Sequence, residues 1–417
     1  MVAVHSLCRV ENCTHAVEFF YDDRAQQVAD IWQHAAMQTT DVLIIGAGMA
    51  GASLACFLAP HRRVTVLERE AQPGYHATGR SAAMFSETYG NATVRALSTG
   101  SKAFYFDPPQ GFSPVPLVSP RGALIVGGEA DRDALYATWQ TMQALVLNVA
   151  WWTPSQIRQR VPVLLDEHAR CGIFEPDAMD MDVHAIHHGF LRAAKAAGAQ
   201  MLCNAEVIRI ERNRGGWDVF TRAGDFFSPV VVNAAGAWCD VLARMAGVAP
   251  VGLMPLRRTA FTTAPPEGLD IRQWPLVIDA GERFYFKPDA GMLLMSSANE
   301  DPSLPQDVQP EELDVAIAVD RIEAATTLRV RRVHRQWAGL RSFVADKSPV
   351  VGFAPQAPGF FWLAAQGGYG IQTAPALGEL AAAWVQGLPV PPALAQLGVD
   401  APQLSPSRGG LGSGVAT

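Results

Sequence analysis

Three glycines near the start of the chain have the spacing of a phosphate-binding turn. Gly46, Gly48 and Gly51 follow the apolar run "DVLII" and precede the apolar run "AGASLACFLA". In this G-x-G-x-x-G spacing the first glycine permits a tight turn, the second lets the backbone approach a pyrophosphate, and the third lets the following helix pack closely on the strand. The first amides of that helix would point at the phosphates. The stretch therefore predicts a dinucleotide-binding strand, turn and helix.

An acidic residue follows the glycine turn at the spacing of a ribose ligand. The strand-like run "RVTVLERE" contains Glu68, about twenty residues beyond the turn, where a carboxylate can accept hydrogen bonds from ribose hydroxyls. The next segment, residues 69–90, is a long polar loop, whereas a nicotinamide-binding domain would continue with another strand and helix. A loop that returns to wrap the cofactor suits the larger FAD. The alternative is a structural strand–turn–helix unit with no ligand.

The strand–glycine–helix pattern occurs twice more. The run "VVVNAAGAWCD" breaks at Ala234, Ala235 and Gly236, which are small enough for close approach to a cofactor. Near the C-terminus, "GFFWLAAQGGYGIQTAPALGELAAAW" predicts a strand, a turn at 367–370 and a helix that begins near residues 370–373. The positive end of that helix would face the N1–C2=O edge of a flavin, which gains negative charge on reduction. The three units lie far apart in the chain, so one discontinuous domain must collect them.

The sequence therefore predicts two domains in an α/β fold, α+β overall. A chain of 417 residues with 49% hydrophobic content is long enough for both. The discontinuous, Rossmann-type FAD-binding domain is expected from residues 39–100, 166–250 and 335–395. A second, antiparallel-sheet domain for the substrate is expected from residues 101–165 and 251–334, where "RFYFKPDAGMLLMSS" is strand-like.

Three histidines lie on a predicted helix within residues 177–198. Asp182 is the expected N-cap of this helix and Gly198 its C′ residue. His184, His187 and His188 have the i, i+3, i+4 spacing of metal ligands, but no acidic or cysteine ligand adjoins them in the sequence. We therefore interpret them as a polar helix face and predict no metal site. The following stretch, "GWDVFTRAGDFFSPVVVNAAGAW", predicts a hairpin.

Composition and charge exclude several classes of protein. The net charge of −7 argues against a nucleic-acid partner, and the basic run at 329–335 is interpreted as a solvated strand face. Six cysteines are scattered without C-x-x-C spacing, which indicates a reducing compartment rather than a disulfide framework or a zinc site. No apolar run approaches the roughly 20 residues of a membrane span. We therefore expect a cytoplasmic monomer or loose homo-oligomer with no transmembrane segment.

The two ends of the chain are expected to lie outside the fold. Residues 1–36 hold neither an apolar signal core nor an Arg-rich, acid-poor transit pattern, and Met37 directly precedes the first strand-like run. We interpret residues 1–36 as upstream sequence read from too early a start codon, or as a loosely attached helix; a regulatory or docking segment is the alternative. Residues 401–417, which end in "SPSRGGLGSGVAT", are predicted to be a disordered tail.

Six motifs can be read along the chain, namely "IIGAGMAGAS", "GYHATGRSAAMFSETYG", "VVNAAGAWCD", "FYFKPDAGMLL", "WAGLRSFVAD" and "AAQGGYGIQT". They resemble those of the FAD-dependent D-amino-acid dehydrogenases, within the D-amino-acid oxidase superfamily, and most of all those of the bacterial D-arginine dehydrogenases. The likeness runs from residue 37 to residue 405, essentially without gaps. It implies hydride transfer from the substrate Cα to flavin N5, after which the imino acid hydrolyses to a 2-oxo acid and ammonia.

The resemblance also implies which residues bind the substrate. Arg258 and Arg341 would clamp the substrate carboxylate, since the guanidinium fork matches a carboxylate and fixes Cα against the flavin. Tyr285 and Gln372 would add hydrogen bonds to the same group. Tyr89 would line the pocket and the Gly368 carbonyl would receive the amine. No general base is needed if the amine binds in its neutral form.

The cofactor is expected to be FAD, held without a covalent bond. His76 lies in the loop where some relatives carry a covalently attached histidine, and covalent attachment here is the less favoured alternative. The expected cofactor-binding residues are Gly46, Gly48, Met49, Ala50, Gly51, Glu68, Arg69, Thr78, Gly79, Arg80, Ser81, Ala82, Ala83, Val207, Ala235, Gly236, Trp238, Gly339, Gly367, Gly370, Ile371 and Thr373.

Two departures from the D-arginine dehydrogenases bear on the substrate. Met84 stands where those enzymes have a histidine near the substrate, and Ala123 stands where they have a glutamate that holds the basic end of the substrate. Without that carboxylate a buried cationic side chain would be left unpaired, which is strongly unfavourable. Met84 and Ala123 together predict an apolar, adaptable pocket for neutral or hydrophobic side chains.

The electron acceptor and the substrate class can each be interpreted in more than one way. Sarcosine oxidases carry a lysine near flavin N5 that promotes reaction with oxygen. The corresponding strand here, "GMLLMSS", has none, which favours a dehydrogenase that passes electrons to a quinone or another carrier rather than to O2. Two arginines over a flavin would equally hold a 2-hydroxy acid. The protein could also oxidise a secondary amine such as sarcosine or proline, or act as an accessory flavoprotein subunit.

The implied carboxylate ligands also have structural interpretations. One of the adjacent Arg257 and Arg258 is expected to point to solvent, and motif position alone selects Arg258 for the substrate. Tyr285 lies between two phenylalanines, so it could be a core-strand residue, and Arg341 could pair with Asp346.

Overall fold

The structure is a computed structural model that describes residues 37–412 of the chain. Residues 1–36, the predicted N-terminal extension, lie outside this range, as do residues 413–417. In chain order the strands are β1 Gln38–Thr39, β2 Val42–Ile45, β3 Val64–Leu67, β4 Met84–Phe85, β5 Val118–Pro120, β6 Ala123–Gly127, β7 Ala150–Trp152, β8 Cys171–Glu175, β9 Met179–Met181, β10 Gln200–Leu202, β11 Val207–Asn213, β12 Gly216–Thr221, β13 Gly224–Ser228, β14 Val230–Asn233, β15 Met254–Thr263, β16 Leu276–Asp279, β17 Tyr285–Asp289, β18 Met292–Ser296, β19 Asp301–Pro302, β20 Val333–Phe343, β21 Val350–Phe353 and β22 Phe360–Ala364. The helices are α1 Met49–Leu58, α2 Ala92–Phe106, α3 Arg132–Gln143, α4 Pro154–Arg160, α5 Val183–Ala196, α6 Cys239–Met245, α7 Glu312–Ala325, α8 Ala374–Val385, α9 Pro392–Gln396 and α10 Ala401–Leu404.

A six-stranded sheet collects the three predicted strand–glycine–helix units. Its strand order is β10-β3-β2-β14-β22-β21, and all neighbours are parallel except β21 and β22. Strands β2, β14 and β22, which open the three units, lie side by side although almost the whole chain separates the first from the last. The predicted discontinuous, Rossmann-type arrangement is therefore confirmed.

The central strands of this sheet are buried on both faces, as their unbroken apolar runs predict. Val42 and Ile44 of β2 enter the core that α1 and α8 cover, whereas Leu43 and Ile45 enter a second core on the opposite face. That second core is closed by the four-stranded sheet β1-β13-β12-β11, which contains the predicted hairpin, and by α6. Alternate residues of one strand thus hold two layers together.

A second sheet, mostly antiparallel, is built largely from the segments that the sequence assigns to the second domain. Its order is β19-β15-β18-β17-β16-β6-β8-β7, and β20 pairs with β15. One face packs on α4 and α7 through an apolar core that includes Phe261, Phe286 and Ile322. The predicted domain boundaries differ from the structure in two places. They assign β8 and β20 to the FAD-binding domain, whereas β8 pairs with β6 and β20 pairs with β15 over its whole length.

The region assigned to a disordered tail is ordered as far as residue 412. Helix α10 is capped by Asp400, whose carboxylate accepts from the Gln403 amide at 3.0 Å, and Leu404 is fully buried. Arg408 forms an ion pair with Asp346 at 2.7 Å. The prediction is wrong for residues 401–412 because the glycine- and serine-rich composition conceals these anchors. Between residues 37 and 412 there is no helix long and apolar enough to span a bilayer.

Helix α5 has the predicted caps but not the predicted histidine face. The Asp182 carboxylate accepts from the Ala185 amide at 2.8 Å, and Gly198 has a φ of +94°. His184 is exposed and its ring lies 4.1 Å from that of His188. The interpretation is wrong for His187, which is 3% exposed and whose Nε2 lies 2.9 Å from the carbonyl oxygen of Ala47. In the described residues no group of three or more His, Cys, Asp or Glu side chains is placed to hold a metal ion.

The burial of His187 predicts a pH-dependent loss of stability. Burial lowers the pKa of His187 to about 4, whereas the pKa of a histidine in an unfolded chain is about 6.5. Between these two values only the unfolded chain binds the proton, so the free energy of unfolding falls as pH decreases, by up to about 3 kcal/mol. We expect His187→Gln to flatten the dependence of the urea midpoint on pH between about 6.5 and 4, whereas the exposed-site control His184→Gln retains it. Parallel curves for wild type and His187→Gln would contradict this account.

Candidate active site

A cavity of about 320 Å³ opens where the parallel strands of the six-stranded sheet end. Its first wall is built from residues that directly follow β2, β3, β14 and β22. Its second wall comes from β15, β17 and β20 of the antiparallel sheet. The cavity therefore lies between the two sheets, at the carboxyl ends of parallel strands, which is where α/β sheets bind their ligands.

The glycine turn after β2 has the geometry that its spacing predicts. Gly46 has a φ of +107°, and a Cβ there would lie 2.5 Å from the carbonyl oxygen of Ala234. A Cβ at Gly51 would lie 1.9 Å from the carbonyl oxygen of Gly46, so only glycine lets α1 pack this closely. Helix α1 begins at Met49 after Gly48, which provides no side-chain cap. The Met49 amide donates to the Thr78 hydroxyl at 3.0 Å, and Gly48, Met49 and Ala50 at this end of the helix line the cavity, where the positive end of the helix suits a pyrophosphate.

Glu68 lies on the cavity wall and is held by two backbone amides. Its Oε2 accepts from the Ala47 amide at 3.0 Å and its Oε1 accepts from the Glu70 amide at 3.0 Å. The residue is only 7% exposed. Each carboxylate oxygen retains a second lone pair, so ribose hydroxyls can still donate to it.

The polar loop after Glu68 returns over the cavity and is fastened there. Arg80 donates to the carbonyl oxygens of Val308 at 2.8 Å and Ala338 at 3.1 Å, and it forms an ion pair with Asp307. The Tyr75 hydroxyl also donates to Asp307, at 3.3 Å. The loop and the segment around Val308 together close one side of the cavity.

His76 and Arg69 of the same loop pack around an indole. The guanidinium of Arg69 lies 5.0 Å from the ring centroid of Trp238, and the His76 ring lies 4.7 Å from the Trp238 ring. His76 Nε2 is 2.9 Å from an oxygen of Glu70. His76 lines the cavity. Covalent attachment of the flavin to His76 stays the less favoured alternative.

Most of the expected cofactor residues lie on the cavity wall. They are Gly46, Gly48, Met49, Ala50, Glu68, Arg69, Thr78, Arg80, Ser81, Ala82, Val207, Ala235, Gly236, Trp238, Gly339, Gly367, Gly370 and Ile371. Four expected residues do not line it, namely Gly51, Gly79, Ala83 and Thr373. Thr373 is fully buried and its hydroxyl donates to the Tyr369 carbonyl at 2.9 Å, so it caps the turn before α8 instead.

Sequence reasoning missed Gln366, which directly precedes Gly367 in the third glycine turn. Gln366 lines the cavity, and its Nε2 is buried with no hydrogen-bond partner in residues 37–412. A bound group with acceptor atoms would satisfy this donor. The glycine cradle, the N-terminal end of α1, the Glu68 carboxylate and the unsatisfied Gln366 amide are all suited to FAD.

The strand register places Arg258, Arg341 and Tyr285 on one face of the antiparallel sheet. Arg258 of β15 pairs with Gly339 of β20, so Arg341, two residues further along β20, is its diagonal neighbour. Both arginines and Tyr285 line the cavity. Burial, and next the positive charge of Arg341, lower the pKa of Arg258. Burial alone would raise the pKa of Tyr285, but the charges of Arg341 and Arg258 bring it below its usual value. The three side chains form one cluster.

The structure decides between the interpretations of the two arginine motifs. Arg257 faces away from the cavity, but the expectation that it points to solvent is wrong. Its side chain is 14% exposed and pairs with Asp314 at 3.0 Å and with Glu311. Asp346 is occupied by Arg408, so the alternative of an Arg341–Asp346 pair is also wrong. Within residues 37–412, no acidic side chain forms an ion pair with Arg341.

The other implied substrate residues are placed differently. Gly368 lines the cavity, whereas Tyr89, Gln372, Met84 and Ala123 do not. Tyr89 is 42% exposed and its ring lies 5.0 Å from that of Tyr369, but it is close enough to Arg341 to raise the pKa of that guanidinium. Met84 and Ala123 are positioned by sheet pairing, the first on β4 against β9 and the second on β6 against β8 and β16.

Gln372 is a structural residue, contrary to the role that the resemblance implies. It is 3% exposed, its amide nitrogen donates to the Ser98 hydroxyl at 2.8 Å, and its amide oxygen accepts from the Ser86 amide at 3.3 Å. Both ends of the side chain are therefore used to join α2 to the segment after β4.

Known proteins share this sequence pattern and fold. A family of FAD-dependent oxidoreductases (DAO) matches residues 41–384. L-2-hydroxyglutarate dehydrogenase of Escherichia coli O17:K52:H18 is 25% identical over 235 residues, 54% of each protein, so the chain spans about half the length of this relative. Glycine oxidase of Bacillus subtilis is 23% identical over 357 residues, 82% of this chain and 91% of the oxidase. The crystal structure of glycine oxidase from Geobacillus kaustophilus, 21% identical, superposes with a TM-score of 0.75 over 84% of this chain and 96% of that one.

The family match covers both sheets and most of the residues that form the cavity. It agrees with a glycine cradle and a ribose-binding carboxylate that suit FAD. The chain belongs to the DAO family of FAD-dependent oxidoreductases, and FAD is its cofactor.

Proposed function

We propose that the protein oxidises D-amino acids with neutral or hydrophobic side chains. Bound FAD supplies the hydride acceptor, and the hydride comes from the substrate Cα. The imino acid product then hydrolyses to a 2-oxo acid and ammonia. The preference for D-amino acids, and for side chains other than that of arginine, rests on the resemblance to D-arginine dehydrogenases and on two departures from them in the sequence, Met84 and Ala123, neither of which lines the cavity.

The observation that carries this proposal is the pair Arg258 and Arg341 on the cavity wall. Arg341 has no acidic partner in the described part of the chain, and the two guanidiniums share one face of the sheet with Tyr285. Glu300 pairs with Arg258 at 3.1 Å, so one of these two close cations is left without an anion, which is unfavourable, and the site is suited to one external carboxylate. A guanidinium fork binds such a group through two parallel hydrogen bonds.

The residues of the cluster would orient the substrate for a single reaction at Cα. Arg258 and Arg341 bind the carboxylate, and the Tyr285 hydroxyl donates a further hydrogen bond. The Gly368 carbonyl accepts from the amine, which holds Cα between the carboxylate site and the cofactor. An amine that binds in its neutral form needs no general base, so we propose none.

The electron acceptor is proposed to be a quinone or another carrier rather than O2. Strand β18, Met292–Ser296, carries no lysine. Lys287 on the adjacent β17 is buried, and its Nζ is held by Asp180 at 2.6 Å. A cytoplasmic location and a monomer or loose homo-oligomer remain further parts of the proposal.

A 2-hydroxy acid is the second candidate substrate class. It is favoured by the similarity to an L-2-hydroxyglutarate dehydrogenase, and its carboxylate would fit the same arginine pair. Secondary amines are a third candidate class, favoured by the similarity to human sarcosine dehydrogenase, which is 26% identical over 249 residues. A purely accessory role fits poorly with two arginines that face the cofactor cavity.

Reduction of the flavin in the absence of oxygen distinguishes these candidates. The FAD-loaded protein is mixed with D- and L-amino acids, sarcosine, proline and 2-hydroxy acids, and the visible absorbance of oxidised flavin is followed. We expect bleaching with D-leucine, D-methionine or D-phenylalanine, slower bleaching with D-arginine, and none with the L-enantiomers. If only hydroxy acids or only secondary amines bleach the flavin, that class is the substrate and the proposal of D-amino acids is wrong. No bleaching at all would support the accessory role.

A further inference from the structure

Glu300 is a carboxylate at the edge of the arginine cluster to which neither motif nor resemblance assigns a role. It lies in the connection between β18 and β19, and 35% of its side chain is exposed. We propose that Glu300 sets the net charge of the substrate site and thereby makes the enzyme selective for substrates with a single carboxylate. This inference rests on the proposed binding of the substrate carboxylate by Arg258 and Arg341.

Glu300 is in direct contact with the substrate-facing arginine. One of its oxygens lies 3.1 Å from Nη2 of Arg258, and the other lies 3.4 Å from Nζ of Lys347. The Nε of Arg258 donates to the carbonyl oxygen of the preceding Asn299 at 2.7 Å. Residues 299 and 300 thus hold one edge of the guanidinium, and the opposite edge is left for the cavity.

The negative charge of Glu300 also reaches the second arginine. Burial lowers the pKa of Arg341, but Tyr89, Tyr285 and Glu300 raise it by more. Glu300 also contributes to the raised pKa of Tyr369, which burial increases most. The carboxylate therefore acts electrostatically on both arginines and not on Arg258 alone.

A count of charges gives the consequence for the substrate. Arg258 and Arg341 contribute two positive charges and Glu300 one negative charge, so one positive charge remains. A single substrate carboxylate neutralises it. Lys347, the other cation next to Glu300, is 54% exposed, so water screens its charge, and a second carboxylate would find no further buried cation in the described cluster. Such a substrate would instead meet the like charge of Glu300, which is repulsive.

The neighbouring Arg257 provides a natural comparison. Arg257 points away from the cavity and is surrounded by Asp301, Glu311 and Asp314. Glu311 is therefore an exposed carboxylate that contacts Arg257. Arg257 belongs to β15, as Arg258 does, but points away from the cavity. Replacement of Glu311 tests whether loss of any nearby negative charge produces the effect that we assign to Glu300.

The proposal is tested by the binding of two non-reacting acids to the FAD-loaded protein. Propionate and succinate are titrated at pH 7.5, and the change in the visible flavin spectrum gives a Kd for each. Glu300→Gln removes the charge but keeps an oxygen that Arg258 can bind. We expect the succinate-to-propionate Kd ratio to fall at least about 10-fold in Glu300→Gln. Glu300→Asp, which keeps the charge, and Glu311→Gln should retain the wild-type ratio.

Each other outcome counts against the inference. An unchanged ratio in Glu300→Gln, or an equal change in Glu311→Gln, overturns the selective role of Glu300 while leaving carboxylate binding intact. If the wild-type protein binds neither acid, the carboxylate site itself is wrong and the inference falls with it. Glu300→Ala, with its FAD content measured alongside, repeats the comparison if the glutamine variant does not fold.

Discussion

Replacement of Arg341 by alanine is expected to lower kcat/KM about 10²- to 10³-fold for any substrate that reduces the flavin, without loss of FAD. Removing one partner of a buried, hydrogen-bonded charge pair costs about 2–5 kcal/mol, and each ~1.4 kcal/mol is a factor of ten. The glycine cradle that would hold FAD does not depend on this side chain. Steady-state kinetics and the absorbance ratio of flavin to protein measure the two effects.

Two further variants test whether the effect at Arg341 comes from its guanidinium group and from its position in the cavity. Arg341→Lys keeps the charge but loses the bidentate fork, so we expect an intermediate loss of kcat/KM. Arg335→Ala removes an exposed arginine of the same strand and should leave kcat/KM unchanged. A wild-type kcat/KM for Arg341→Ala would mean that the substrate carboxylate binds elsewhere.

The second large effect is expected at Gly51. A Cβ there would lie 1.9 Å from the Gly46 carbonyl oxygen and 3.2 Å from a methyl group of Ile44. Backbone cannot yield as a flexible side chain can, so in Gly51→Ala helix α1 must move away from β2. We expect a loss of about 3 kcal/mol or more in the free energy of unfolding, together with loss of FAD during purification.

Urea unfolding of the apoprotein measures the Gly51 effect separately from cofactor binding. Gly409→Ala is the matched control, because a Cβ at Gly409 would have open space around it. If Gly51→Ala has the stability and FAD content of the wild type, the close approach of helix and strand is not required for the fold.

Local patterns were sufficient to predict the cofactor half of the molecule. The spacing of Gly46, Gly48 and Gly51 determines the turn, although the residue that Gly46 approaches most closely is the distant Ala234. The apolar runs that became β2, β14 and β22 could only be buried in one parallel sheet. Their adjacency followed from the need to gather three glycine turns around one ligand.

The parts that could not be predicted depend on contacts between distant segments. Asp346 lies close to Arg341 in the sequence, yet its partner is Arg408 in the region that looked disordered. The pairing of β20 with β15 likewise could not be read from its basic, polar start. In both cases composition described the segment correctly but gave no information about what would cover it.

The predicted apolar substrate pocket shows the same limit. Ala123 stands where the D-arginine dehydrogenases have a glutamate. Its cross-strand partner on β8, however, is Glu175, which is 3% exposed. The Glu175 carboxyl accepts hydrogen bonds from the hydroxyls of Ser86 at 2.8 Å and Thr88 at 2.7 Å, and burial raises its pKa. Only the strand register reveals that a polar group lies next to Ala123.

The adjacency of β2, β14 and β22 has a consequence for the biosynthesis of the enzyme. The ribosome completes the first glycine turn early, but Phe360–Ala364 and the third turn emerge almost at the end. Until then the nascent chain exposes the unpaired apolar edge of β14, and the wall that Gln366 and Ile371 supply does not yet exist. Flavin can therefore be bound only by a chain that is nearly finished, so the cofactor cannot protect the growing chain against aggregation.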